Sequence, residues 1–115
     1  MNKETKIQRA IMLALSEAGH MVFRNETKRA WIGKKIHQSG DQVTLKNGVF
    51  MLFGLCIGSS DLIGLTDKGR FFAIEVKTDT GRASKEQKIF IAQIIKQGGL
   101  AGIARSPAEA LAIVG

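Results

Sequence analysis

Two short stretches decide how this chain folds: Gly58-Ser59-Ser60-Asp61-Leu62-Ile63-Gly64 and, shortly after it, Ala73-Ile74-Glu75-Val76-Lys77. Apolar residues flank the charged ones on both sides, which is typical of strands at the centre of a sheet. Glu75 and Lys77 lie two apart on one strand, so their side chains point to the same face. Three charged groups in core strands are costly to bury, and we expect them to serve a function rather than to form a buried ion pair.

The loop between these two strands decides whether Asp61 faces Glu75. The strands are predicted over residues 61–66 and 70–77, and a two-residue loop between them would put Asp61 on the face opposite to Glu75. A three-residue loop, Asp67-Lys68-Gly69, pairs Asp61 with Glu75 and has glycine at the left-handed position that this loop type needs. We favour this register, in which the two Cβ atoms are about 5 Å apart. Carboxylates this close repel unless positive charge offsets them, and a divalent cation with oxygen ligands would supply it.

The other elements follow from periodicity and turn residues. Helices are predicted over residues 3–18, from Ser84 to about Gln97 and from Ser106-Pro107 onwards, and strands over 21–23, within 29–53 and over Leu100–Ala104. Within 29–53, Asn47-Gly48 predicts a two-residue hairpin turn and Ser39-Gly40-Asp41 gives a further turn signal. This order predicts an α/β sandwich around a mixed sheet.

Length and composition exclude several classes of protein. The chain has 115 residues, 44% of them apolar and 23% charged, which is typical of one folded domain and not of a disordered chain. It shows no apolar run of membrane-spanning length and no export leader. Cys56 is the single cysteine, so an intramolecular disulfide is impossible; we expect a cytoplasmic setting, with Cys56 as a small buried residue.

Positive charge is in excess and is uneven along the chain. There are 17 basic and 10 acidic residues, a net charge of +7; residues 1–60 carry nine basic and four acidic residues, or +5, and residues 61–115 carry eight and six, or +2. This bias favours a polyanionic partner, nucleic acid first, although a solvated Lys/Arg surface is the alternative.

Asp61 followed by Glu75-Val76-Lys77 resembles the PD-(D/E)xK nuclease signature. The wider pattern resembles the VRR-NUC branch of that superfamily, the virus-type replication-repair nuclease domain. The further matching pieces are Glu4 with Ile7 and Gln8, Gly58-Ser59-Ser60 before Asp61, and Ser84-Lys85-Glu86-Gln87. Ser60 departs from the motif, whose name has proline at that turn. The resemblance covers nearly the whole chain and implies a restriction-endonuclease-like αβββαβ core, with a mixed central sheet flanked by helices, in a single domain over residues 1–115.

The resemblance also implies roles for individual residues. It assigns as ligands of Mg²⁺ or Mn²⁺ Asp61, Glu75, the main-chain carbonyl of Val76 and, directly or through water, Glu4. Lys77 orients or activates the attacking water and offsets charge in the transition state. Glu17 and Glu26 are rivals to Glu4, and Gln87 either approaches the site or only caps its helix.

The function that follows is a metal-dependent DNA endonuclease acting on branched DNA, similar to Holliday junction resolvases. The alternatives are a catalytically weak or inactive nuclease-fold DNA-binding module and a basic structural protein with an ion-pair network. The expected DNA contacts are Arg24, Lys28, Arg29, Lys34 and Lys35, with Asn25 as a further candidate and scattered solvated side chains as the alternative. No membrane and no nucleotide cofactor is expected, and the expected setting is the cytoplasm of a bacterium or of a phage-infected host.

A homodimer is expected, because residues 29–53 hold more apolar side chains than a small sheet needs. The alternative is that this segment folds over its own sheet and leaves the chain monomeric.

Overall fold

The computed structural model describes all residues, 1–115, as a four-stranded sheet with three helices and a separate hairpin. The elements are α1 Lys3–Glu17, β1 Met21–Arg24, β2 Lys28–Ser39, β3 Gln42–Phe53, β4 Leu62–Leu65, β5 Phe71–Val76, α2 Lys85–Lys96, β6 Leu100–Ala104 and α3 Pro107–Val114. The sheet has the strand order β1-β4-β5-β6, with antiparallel pairs except for the parallel pair β5/β6. The predicted mixed sheet flanked by helices is therefore confirmed, with β2–β3 inserted into the αβββαβ order and α3 added after it.

The register of β4 against β5 agrees with the three-residue loop. Leu62 pairs with Ile74, and at the loop the Thr66 amide donates to the Arg70 carbonyl at 2.8 Å. Gly69 has a φ of +79°, the left-handed conformation that glycine adopts without strain. Continued by one residue, this register puts Asp61 opposite Glu75.

The core lies between the sheet and the face of α1 and α3. Ile11 and Leu15 of α1 are fully buried against Phe72 and Ile74 of β5 in one apolar cluster. Each such side chain contributes about 1.5–3 kcal/mol when it is buried. The helix begins where the Asn2 side chain accepts a hydrogen bond from the Thr5 amide at 2.8 Å. The core thus fixes β5, which carries Glu75.

The predicted hairpin turn at Asn47-Gly48 is wrong. The chain turns at Gly40-Asp41, between paired Ser39 and Gln42, so that β2 and β3 each run for twelve residues. Asn47 has a φ of 54° and lies with Gly48 opposite the single residue Gly33, as a β-bulge. Asn-Gly favours positive φ, which is needed both in a bulge of this kind and in a two-residue turn. Only the pairing of the strands on both sides distinguishes the bulge from the turn.

The hairpin does not fold over the sheet, so the alternative of a self-covered apolar segment is not what the structure shows. Trp31 and Phe50 pack on each other across the strands, with ring centroids 5.1 Å apart, yet they stay 62% and 53% exposed. The molecule is elongated and measures 49 × 29 × 29 Å. Cys56, expected to be buried, is exposed because the segment between β3 and β4 runs over the surface.

None of the three helices combines the length and the apolar character needed to cross a membrane.

Candidate active site

Asp61 lies directly before β4, and two backbone amides fix its position. Its Oδ2 accepts a hydrogen bond from the Val76 amide at 2.9 Å, so the side chain reaches across to β5. Its main-chain carbonyl accepts from the Asn25 amide at 2.7 Å, which ties it to the end of β1. Asp61 is half-buried and thus remains accessible from one side.

Glu75, on β5, is only 2% exposed, and its Oε2 has no hydrogen-bond partner. Burial first, and then the hydrogen bond and negative charge of Asp61, raise the pKa of Glu75 from 4.5 to about 9. The charge of Lys77 opposes this rise, and the charge of Glu4 adds to it. At neutral pH the pair therefore holds a proton unless other positive charge replaces it.

Lys77 follows at the end of β5, half-buried, with its amide donating to the Ala104 carbonyl at 3.1 Å. A Cβ atom added to Gly81 would lie 3.3 Å from Cδ of Lys77, so the lysine stem runs close to that turn. Arg105 holds the same turn by donating from Nη1 to the carbonyls of Thr78 and Gly81. Sequence reasoning missed Arg105, because no local pattern signals a contact between segments this far apart in the chain.

A first cleft, of about 270 Å³, opens on one side of Asp61 and is lined only by polar residues. These are Asn2, Glu4, Thr5, Gln8, Arg24, Glu26 and Asp61. The structure thus brings Glu4 and Arg24 to the site, as the sequence led us to expect. It also brings Glu26, a rival to Glu4, whereas Glu17 at the far end of α1 takes no part.

A second cleft, of about 350 Å³, leads from Asp61 to the root of the hairpin. Its lining consists of Asn25, Glu26, Thr27, Lys28, Arg29, Leu52, Ile57, Gly58, Ser59, Asp61 and Gln87. Lys28 and Arg29 are therefore beside the site, but Lys34 and Lys35 lie farther out on the hairpin. The Gln87 side chain accepts from the Ser84 amide at 2.8 Å in a complete capping box. Capping is thus confirmed, and Gln87 also borders the cleft.

Asn25, a further candidate for phosphate contact, is instead buried, with 7% of its surface exposed. Its Nδ2 donates to Ser59 Oγ at 2.8 Å and to the Ser60 carbonyl at 2.9 Å, and its Oδ1 accepts from the Leu55 amide at 3.1 Å. Thr27 adds hydrogen bonds to Ser59 Oγ and to the Cys56 carbonyl. This network holds both legs of the hairpin to the segment that ends at Asp61.

The sequence profile of the VRR-NUC domain matches residues 2–108, almost the whole chain. The chain belongs to the VRR-NUC family. A solved structure described as a VRR_NUC domain has the same fold, with a TM-score of 0.62 at 14% sequence identity, over 99% of this chain and 96% of that one. Among proteins of curated function, no sequence matches this chain. VRR-NUC is a nuclease-type family, for which DNA is the implied substrate.

The acidic pair of this VRR-NUC chain, Asp61 and Glu75, has the donor atoms that a divalent cation requires. Asp61 and Glu75 offer carboxylate oxygens, the ligands that Mg²⁺ prefers, and Oε2 of Glu75 is buried with no protein partner. No third acidic, histidine or cysteine side chain converges with them to form a closed metal cluster. The side chains of Asp61 and Glu75 therefore fit a divalent cation by donor type and supply two carboxylates to it.

Proposed function

We propose that this VRR-NUC chain is a metal-dependent DNA endonuclease that hydrolyses phosphodiester bonds in branched DNA, in the manner of a Holliday junction resolvase. The observation that carries the proposal is the position of Asp61, which lies opposite the buried Glu75 across two core strands and lines both open clefts. A buried Glu75 beside the Asp61 carboxylate is unfavourable without a ligand, and the pKa of Glu75, raised to about 9, supports this view.

In this proposal Asp61 and Glu75 would hold Mg²⁺ or Mn²⁺, with the Val76 carbonyl and, directly or through water, Glu4 as further ligands. The bound cation supplies a Lewis acid for the phosphate oxygens. Lys77, whose charge already acts on Glu75, orients the attacking water and offsets negative charge that develops on the phosphate. Gln87 borders the second cleft, where it would contact the bound strand.

The DNA backbone crosses Asp61 from one cleft into the other. Arg24 lines the first cleft, and Lys28 and Arg29 line the second, so cations flank the acidic pair on both sides. The ion pair between Lys28 and Glu26, at 3.6 Å, is exposed and costs little to break when phosphate binds. The net charge of +7 adds long-range attraction for a polyanion.

A homodimer is part of the proposal. The inner half of the hairpin, between its root and the bulge, exposes Trp31, Ile32, Val49, Phe50, Met51 and Leu52. These side chains alternate between the two faces of the ribbon, with Trp31 and Phe50 on one face and Ile32 and Val49 on the other. A second copy that packs on one face removes its apolar side chains from water and brings two active sites together. Two sites suit the cleavage of two strands at one junction.

The second candidate is a nuclease-fold protein that binds DNA without cutting it. The observation that favours it is the absence of a third acidic side chain converging on Asp61 and Glu75. An enzyme and a binding module both bind DNA, so only metal-dependent cleavage separates them.

The decisive experiment is a Mg²⁺ and Mn²⁺ titration of cleavage on fluorescent junction, flap, splayed-arm, duplex and single-stranded DNA. We expect metal-dependent cleavage that is fastest on the junction and is lost in Asp61→Asn. Binding of every substrate with no cleavage at any metal concentration would support the binding module instead.

A further inference from the structure

The outer half of the hairpin differs in chemistry from the inner half. We define the outer half as residues 33–48, from the bulge to the Gly40-Asp41 turn and back. It carries Lys34, Lys35 and Lys46 against a single acid, Asp41. Its strands pair only with each other, so the outer half is reachable from every side.

Two of these lysines are paired in an arrangement that is unfavourable in the free protein. Lys34 and Lys46 are directly opposite each other across the strands, where like charges repel. Neither has a carboxylate partner, since the ion pairs of the chain are His20–Asp67 and Lys28–Glu26. Lys35 differs from this pair, because its ammonium group has a hydrogen-bond partner and donates to Gln38 Oε1 at 3.1 Å.

The bulge fixes the two lysines in this register. A Cβ atom on Gly33 would lie 2.9 Å from the Lys46 carbonyl and 3.2 Å from Cα of Gly48, so the strands approach closely only because residue 33 is glycine. Bulges increase local twist and redirect neighbouring side chains. The backbone therefore holds Lys34 and Lys46 opposite each other.

We propose that the outer half of the hairpin is a duplex-binding arm, in which Lys34 and Lys46 together bind one DNA backbone phosphate remote from the cleaved bond. This inference rests on the proposed function for its substrate. One phosphate between two lysines removes their repulsion and forms two charge-assisted contacts. A two-stranded ribbon also has the width that the major groove of duplex DNA admits.

The chain length between the cleft and the lysine pair sets the reach of the arm. Arg29 lines the cleft beside Asp61, and Lys34 lies five residues farther along β2. Five residues of strand span about 17 Å, which corresponds to about five base-pair steps of ~3.4 Å. The substrate is therefore a branched DNA with at least one duplex arm of about five base pairs or more.

The test compares Lys34→Gln, Lys46→Gln and the double variant with Lys68→Gln, a matched control in the β4–β5 loop at the opposite end of those strands from Asp61. Binding is measured by fluorescence anisotropy on a four-way junction across a salt series, with Ca²⁺ in place of Mg²⁺ to suppress cleavage. One arm at a time is shortened to about eight, five and three base pairs, each closed by a loop. Light scattering checks that every variant has the oligomeric state of the wild type.

We expect the double variant to bind the junction several-fold more weakly, with a log–log salt slope smaller in magnitude by about one. Wild-type affinity should fall when one arm becomes shorter than about five base pairs, and the double variant should lose this dependence. The free double variant should unfold at the same temperature as the wild type or higher, because a repulsion is removed.

Unchanged salt slope and unchanged arm-length dependence in the double variant would overturn the duplex-binding arm, even if the junction is cleaved. If the salt slope changes in the double variant but the wild type does not cleave in Mg²⁺, the nuclease function is rejected and the duplex-binding arm is still supported. Equal losses in the Lys68→Gln control would show general electrostatic attraction and also overturn the arm.

Discussion

Asp61 and Glu75 face each other across β4 and β5, but their surroundings differ: Asp61 accepts the Val76 amide, whereas Oε2 of Glu75 has no partner. One carboxylate is thus fixed by the backbone, and the other is poorly solvated. Their interaction leads to separate predictions for stability and for ligand binding.

The stability of the metal-free protein should fall as pH rises from about 5 to about 9. The pKa of Glu75 is about 9 in the folded chain and 4.5 as the reference value, so the folded state holds a proton that the unfolded state releases. The stabilising contribution is complete below about 4.5 and is lost as pH rises through the folded pKa. In Glu75→Gln this pH-dependent part of the stability should disappear. Urea unfolding in EDTA at several pH values measures it. If both Glu75→Gln and Asp61→Asn lose stability markedly without metal, the pair is a structural ion-pair network with Lys77.

Cation binding should release a proton. At neutral pH Glu75 keeps a proton that a divalent cation must displace, so affinity for Mn²⁺ should increase with pH. Calorimetry in two buffers of different ionisation enthalpy should give about one proton released per cation. Asp61→Asn and Glu75→Gln should both abolish the binding; retained binding in both would place the cation elsewhere.

Lys77→Met should lower kcat by about 100-fold or more and leave Mn²⁺ affinity nearly unchanged, because Lys77 flanks the carboxylates without being a ligand. Initial rates on junction DNA, with calorimetry of the same sample, measure both quantities. Lys68→Met is the matched control and should behave as the wild type. Cleavage by Lys77→Met at the wild-type rate in Mg²⁺ would rule out the water-orienting role.

Asn25→Ala should destabilise the protein by about 1–3 kcal/mol, because the Ser60 carbonyl and the Leu55 amide then lose a buried partner. The hydrogen bond from Asn25 to the Asp61 carbonyl comes from the backbone amide, so the variant keeps it. Thr27→Val, which removes hydrogen bonds nearer the surface, should cost less. Thermal unfolding of the two variants provides the comparison. Equal losses of stability would contradict the larger contribution assigned to the buried Asn25 side chain.

The chain should be a homodimer at micromolar concentration, and the pair Trp31→Ser with Phe50→Ser should weaken it. These two side chains pack on each other but expose most of their surface in one chain. Light scattering gives the mass directly. A monomeric mass for the wild type, with and without junction DNA, would contradict the dimer and leave a single-site nuclease.

Local sequence signals predicted the strand register well and the long-range arrangement poorly. Gly69 at the end of a three-residue loop was enough to place Asp61 opposite Glu75, because loop length fixes register. Asn47-Gly48 misled because a bulge and a turn use the same backbone conformation. Asn25 looked like a surface residue, and only the fold brings it to Ser59 and Ser60, more than thirty residues away.

The hairpin leaves and re-enters the core at almost the same point. A Cβ atom on Gly54 would lie 2.9 Å from Cα of Thr27, so the two ends of the excursion touch. A short turn could join them and replace residues 28–53 without moving any strand of the main sheet, since closing so small a gap costs little chain entropy. The hairpin can therefore be exchanged as a cassette: transplanting arms of other lengths onto this root offers a way to alter which DNA is recognised while the acidic pair keeps its position.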